Sequence, residues 1–176
     1  MKKLGKGLLV SALLVMLFGL TTVGVNAATS SGTYPTRKGT ILVTSDAYKN
    51  LIPTGHAAIV WSKSQVIESV SKGVVVGKNN WKSTKKKVYG VTVKSTTAAQ
   101  DAKAAQYCKN QVGKKYNLNY LNMSTRKKFY CSQLVWAAFY DLYRINLNTS
   151  AYTYNAIHPM ELVNTSKTSL IYKYSR

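Results

Sequence analysis

Apolar positions along this chain follow two periods in succession. From residue 39 to residue 94 they form short runs set off by turn-forming residues, each run five to seven long, which reads as strands. The runs are Gly39–Ser45 (GTILVTS), His56–Ser62 (HAAIVWS), Gln65–Val70 (QVIESV), Gly73–Gly77 (GVVVG) and Val88–Lys94 (VYGVTVK). Only a short polar turn separates the second and third runs, so they predict a β-hairpin. The period then lengthens. Ala98, Ala102, Ala105 and Val112, with Cys108 on the same stripe, recur at helical spacing over Thr97–Val112. Thr97 and Gln100 have the spacing of a capping box, and Gly113 is the expected stop. A polar, irregular stretch runs from Tyr116 to Lys128. A second helix is predicted over Cys131–Arg144, with Leu134, Val135, Ala138 and Leu142 as its buried stripe. Pro159-Met160-Glu161-Leu162 reads as a turn and Ser169–Tyr174 as a closing strand. Strands first, helices next and one strand last predict an α+β domain, an antiparallel sheet packed against helices.

The beginning of the chain has a different character. Lys2, Lys3 and Lys6 precede an apolar run from Leu8 to Leu20, and Val25-Asn26-Ala27 ends in small residues. That order is a signal peptide over residues 1–27, cut before Ala28. The run is shorter than the about 20 residues a spanning helix needs. Residues 28–38, rich in Ser, Thr and Gly, read as a flexible leader, and 39–176 as one domain. The whole chain carries 25 Lys+Arg against 5 Asp+Glu; without the three leader lysines the balance is 22 against 5, net +17. Such charge in an exported protein points to an anionic wall polymer or lipid surface, or else only keeps the protein soluble. No RNA-binding motif accompanies it, and nucleic acid is not expected as a partner. Lys85-Lys86-Lys87 is the densest basic run and is expected in a solvated connection.

Three residues could together perform chemistry. Cys131 stands where the second helix begins, and free N–H groups with the helix dipole favour a thiolate there. Read alone, it is equally a small core residue. His56 follows Gly55 at the first position of an apolar strand, where an imidazole needs a partner. Glu68 interrupts Val66-Ile67-Glu68-Ser69-Val70. With Ser62–Ser64 as the turn, Ala58 faces Glu68, and His56 and Glu68 become diagonal neighbours on one face. A carboxylate there orients the imidazole and stabilises its charged form; taken alone it is a solvent-facing strand residue. Cys108 lies mid-helix with no helix terminus to acidify it and is expected to fill core. Export would permit a disulfide, but two cysteines make no framework. The other histidine, His158, precedes Pro159 in a loop-like stretch.

Gly113-Lys-Lys-Tyr116 followed by Phe129-Tyr130-Cys131-Ser132-Gln133-Leu134-Val135 resembles the nucleophile region of NlpC-type papain-like peptidases. In ordinary members the histidine follows the cysteine. Here Thr54-Gly55-His56-Ala57-Ala58-Ile59-Val60 comes first, an order similar to the circularly permuted branch, the YiiX-like or YycO-like amidases, which also includes lecithin–retinol acyltransferase. The resemblance runs from Gly39 through Leu162, and departs at Thr40, where many relatives have aspartate. It implies a permuted papain-like fold with Cys131 as nucleophile, His56 as base and Glu68 as the third polar residue. Tyr116 falls where the family's tyrosine lies near the nucleophile, and Tyr116 and Tyr130 are the candidate substrate-binding residues. No cofactor or metal is expected. The implied function is a secreted cysteine hydrolase of amide bonds, most readily in cell-wall peptides. The competing readings are an amidase or acyltransferase acting on lipid or N-acyl groups, and a non-catalytic basic module that binds wall or membrane.

Overall fold

A computed structural model describes residues 28–47, 55–150 and 156–176. The signal-peptide reading of residues 1–27 and the Pro53-Thr54 part of the loop before His56 lie outside the described residues. Seven strands form one sheet: β1 (Thr29–Ser31), β2 (Ile41–Thr44), β3 (His56–Val60), β4 (Gln65–Val70), β5 (Gly73–Lys78), β6 (Lys87–Val93) and β9 (Thr168–Ser175). Their order is β1-β9-β6-β2-β3-β4-β5, with antiparallel neighbours throughout. A small parallel pair, β7 (Lys115–Tyr116) and β8 (Lys128–Phe129), brackets the irregular stretch before the second long helix. The helices are α1 (Trp81–Thr84), α2 (Ala98–Lys109), α3 (Cys131–Tyr143) and α4 (Glu161–Asn164).

Alternation along the strands divides the core between the two faces of the sheet. Ile41, Val43, Ala57, Ile59 and Ile67 face α2 and α3, where they meet Ala104, Ala105, Cys108, Leu134, Val135 and Phe139. Leu42, Ala58, Val60 and Val66 face the other way, against Trp81, Tyr172 and Tyr174. Both faces are covered, so β2 and β3 are buried at every position. That is why these strands read as continuous apolar runs and not as clean alternation.

Several elements differ from the sequence reading. The capping box forms as expected: the Gln100 N–H donates to Thr97 Oγ1 at 3.3 Å, and the Thr97 N–H to Gln100 Oε1 at 2.8 Å. The buried face of α2, however, is Asp101, Ala104, Ala105 and Cys108; Ala98 and Val112 are exposed. Asp101 turns that face inward, because its carboxylate takes an ion pair from Arg37 at 2.7 Å and a hydrogen bond from Thr96 at 2.5 Å. In α3, residues 131–139 are all buried, and Leu142, beyond the edge of the core, is 43% exposed. Residues 28–38 do not hang loose. β1 pairs with β9, Pro35 is buried, and the Tyr34 hydroxyl donates to Asn79 Oδ1 at 2.8 Å. The basic run 85–87 is not a plain connection either: Lys87 opens β6, and Asp46 accepts the Lys86 and Lys87 N–H groups at 2.5 and 3.2 Å. Of Pro159-Met160-Glu161-Leu162, expected as a turn, Pro159 and Met160 form one, but Glu161 and Leu162 already belong to the short helix α4.

Candidate active site

Cys131 is the first residue of α3, and its side chain is 1% exposed. The first turn holds no acidic residue to offset the helix dipole. Gln133 closes that turn: its Oε1 accepts the Tyr130 N–H at 3.2 Å. The Ser132 hydroxyl donates to the Ile157 carbonyl at 2.5 Å. The nucleophile candidate therefore sits on a helix end whose neighbours are all held.

His56 opens β3, paired across from Thr44. Gly55, just before it, adopts a φ of +105°, and a Cβ there would stand 2.2 Å from the Thr44 carbonyl oxygen. Only glycine fits this entry to the strand. Glu68 lies on β4 in the expected register, Ala58 opposite Glu68. The diagonal is closed by a contact of 2.6 Å between His56 Nε2 and Glu68 Oε2. The carboxylate fits because position 77 on the next strand is glycine; a Cβ there would come within 1.9 Å of Glu68 Oε1. On the same face Trp81 lies against the imidazole, ring centroids 5.5 Å apart.

The imidazole is shared between two anionic groups. Burial pulls His56 down, but hydrogen bonds to Cys131 and Glu68 and their charges outweigh it, raising it to about 9. Burial likewise pushes the Cys131 thiol up. The His56 hydrogen bond and charge, with lesser help from the Ala57 N–H and Ser132, bring it below the ordinary thiol range. Both shifts favour thiolate and imidazolium together, and because Nε2 is taken by Glu68, Nδ1 is the nitrogen left for the sulfur. Cys108 has no such partner. It is buried and free, its Sγ 3.6 Å from the Leu134 carbonyl, and burial drives its thiol far upward.

The two tyrosines part company. Tyr116, in β7, lies close enough for the charge of Cys131 to act on it; burial raises its hydroxyl, which is enclosed and makes no hydrogen bond of good geometry. The Tyr130 hydroxyl is already used: it accepts the Ile157 N–H at 3.0 Å, and the ring is almost fully buried. Tyr130 thus holds the 156–158 segment beside α3.

Sequence reasoning passed over the residues that hold this arrangement. Gln133 is fully buried, and besides Tyr130 it bonds Asn117 at 3.0 Å and the carbonyls of Asn122, Met123 and Thr125 at 3.2–3.3 Å. The Ser69 hydroxyl donates to the Phe129 carbonyl at 2.6 Å, tying β4 to the residue two before Cys131. Glu161, also fully buried, accepts from the Thr149 N–H and hydroxyl and from the His158 N–H. The strand pattern around Gly77 and the polar Gln133 within an apolar helix face were the only available signals.

A nucleophilic sulfur, an imidazole that can take and return its proton, and a carboxylate that steadies the imidazole suffice for acyl transfer through a thioester. The sequence matches, over residues 41–173, the family described as permuted papain-like amidase enzyme, YaeF/YiiX, C92 family. In fold the chain is similar to the crystal structure of metalloprotein yiiX from Escherichia coli O157:H7, with a TM-score of 0.60 and 15% identity, over 77% of this chain and 96% of that one. No curated protein matches the sequence. Among the described residues, no group of three or more His, Cys, Asp or Glu side chains is arranged to hold a metal ion.

Proposed function

The chain belongs to the permuted papain-like amidase family, a cysteine hydrolase family, and on that premise we propose that it is an exported enzyme that cleaves amide bonds of cell-wall peptides through Cys131, His56 and Glu68. The observation that carries this reading is the buried imidazole of His56 held between Cys131 and Glu68. The Cys131 thiolate attacks the amide carbonyl, and the oxyanion that results is stabilised by the positive end of the α3 dipole, where a helix start leaves N–H groups without intrahelical acceptors. The His56 imidazolium gives its proton to the departing amine, the C–N bond breaks, and a thioester remains. Neutral His56 then takes a proton from water; the hydroxide attacks the thioester, and the acid and the thiolate–imidazolium pair are released. Glu68 stays ionised and holds the ring. The signal-like residues 1–27 support export. The basic balance of the rest supports an anionic wall as the surroundings.

The test is incubation of purified muropeptides, and in parallel of acyl-amide lipids, with the wild type and Cys131→Ala, the products read by mass. The expected result is muropeptide fragments whose masses sum to the substrate plus one water, formed by the wild type alone. Turnover that survives Cys131→Ala would refute the mechanism. Turnover of acyl-amide lipids alone would move the substrate to the competing class.

A further inference from the structure

Leu118 and Leu121 are the most exposed large apolar residues among those described, at 69% and 60%. They share one loop, between β7 and β8, and that loop is held firmly. Asn117, fully buried, bonds the Asn122 carbonyl and Gln133, and accepts the Asn119 N–H; Gln133 donates to the same Asn122 carbonyl and to those of Met123 and Thr125. The fold thus uses buried polar groups to hold two leucines out in water. Cations flank the loop on both sides: Lys114 and Lys115 enter it, Arg126, Lys127 and Lys128 leave it, and Lys115 stands opposite Lys128 in the β7–β8 register. All five carboxylates of the chain are engaged, Asp46 by Lys86 and Lys87 N–H groups, Glu68 by His56, Asp101 by Arg37, Asp141 by Arg126 and Glu161 by Thr149 and His158. None of them forms an ion pair with Lys115, Lys127 or Lys128.

We propose that the 117–127 loop is a membrane-docking element, seating Leu118 and Leu121 at the acyl boundary of an anionic bilayer with Lys115, Lys127 and Lys128 on its head-group charge. Apolar side chains beside clustered lysines are the combination an anionic lipid interface binds. A soluble polyanion would use the lysines and leave the leucines wet. The loop is joined to the catalytic helix through Gln133, and its Tyr120 packs edge-on against Tyr130, centroids 5.4 Å apart. Docking therefore brings the Cys131 end of α3 to the lipid surface. This inference goes beyond the proposed peptidase reading and does not depend on it.

The test is co-sedimentation of the purified protein with vesicles of phosphatidylcholine alone or mixed with phosphatidylglycerol, beside retention on immobilised polyglutamate. The wild type is expected to bind the anionic vesicles, not the neutral ones, and to release as salt shortens the screening length below about 8 Å. Leu118→Ser/Leu121→Ser should lower vesicle partitioning about tenfold or more while leaving polyglutamate retention unchanged. Lys115→Gln/Lys127→Gln/Lys128→Gln should weaken both. Leu118→Ala/Leu121→Ala, with an unchanged melting temperature, guards against misfolding of the serine pair. Vesicle binding unaffected by either leucine pair, or no wild-type binding to anionic vesicles at low salt, would overturn the proposal.

Discussion

Glu68→Gln separates the chemistry of the carboxylate from its shape. In the native site the His56 ring is buried, yet it is held protonated up to about 9 from an ordinary 6.5. At about 1.4 kcal/mol for each pH unit, the imidazolium is favoured by about 3 kcal/mol net. Cys131 supplies the larger part of the upward pull and Glu68, at 2.6 Å, the next. Glutamine keeps an acceptor for the ring N–H but removes the charge. Loss of one pH unit of support corresponds to about a tenfold drop in the ion-paired state, so kcat/KM should fall about tenfold or more with folding largely intact. The sign is fixed by linkage. A histidine raised on folding adds stability that is fully present below its ordinary value and lost as pH climbs through about 9. The wild type should therefore melt above Glu68→Gln near pH 6, and the gap should close above pH 9. The alkaline limb of kcat/KM, set by the imidazolium that protonates the leaving amine, should move to lower pH in the variant. The assay is kcat/KM against pH for both proteins, with the alkylation rate of Cys131 at neutral pH as an independent readout of the thiolate. A folded variant with unchanged turnover, unchanged alkylation and an unmoved alkaline limb would remove Glu68 from the triad and leave a Cys–His dyad.

Gly77→Ala should act on the same carboxylate from behind. The added Cβ would stand 1.9 Å from Glu68 Oε1, so kcat/KM should drop as in Glu68→Gln, and Glu68→Gln/Gly77→Ala should lose little more than either alone. Gln133→Ala strips five hydrogen bonds, two of them fully buried, leaving Asn117 and the Tyr130 N–H short of partners; calorimetry should record a loss of about 3 kcal/mol or more. Arg144 closes α3 at a φ of +58°, where glycine is the usual residue, so Arg144→Gly should raise stability by about 1 kcal/mol in a denaturant titration.

Local rules carried the reading a long way where the signal is itself local. The polar turn at Ser62–Ser64 between His56–Val60 and Gln65–Val70 fixed the hairpin register, and with it the diagonal that closes His56 onto Glu68. The change to helical period at residue 131 put Cys131 at a helix start. What escaped the pattern is set by contacts distant in sequence. The face of α2 is turned by an ion pair between residues 37 and 101, which no window of the sequence contains. Gln133 stands out as a polar residue on an apolar helix face, but nothing near it or near Glu161 in sequence tells that their partners are loop carbonyls and N–H groups that must be satisfied in the core. Trp81, lost in a basic stretch, proved to be the ring against His56. The role of Gly77 follows only from the side chain two positions away on the neighbouring strand.

The central claim is a thiolate at Cys131 sustained by His56, and the most direct measurement is site-resolved alkylation. The native protein would be treated with iodoacetamide across pH 5 to 10 and the two cysteine peptides quantified by mass. Cys131 should react well below the ordinary thiol range and Cys108 hardly at all. In His56→Ala the Cys131 profile should shift to the alkaline side. Equal sluggishness of the two cysteines, or a Cys131 profile that rises only through the ordinary thiol range and ignores His56, would contradict the account and favour a protein that binds without catalysing.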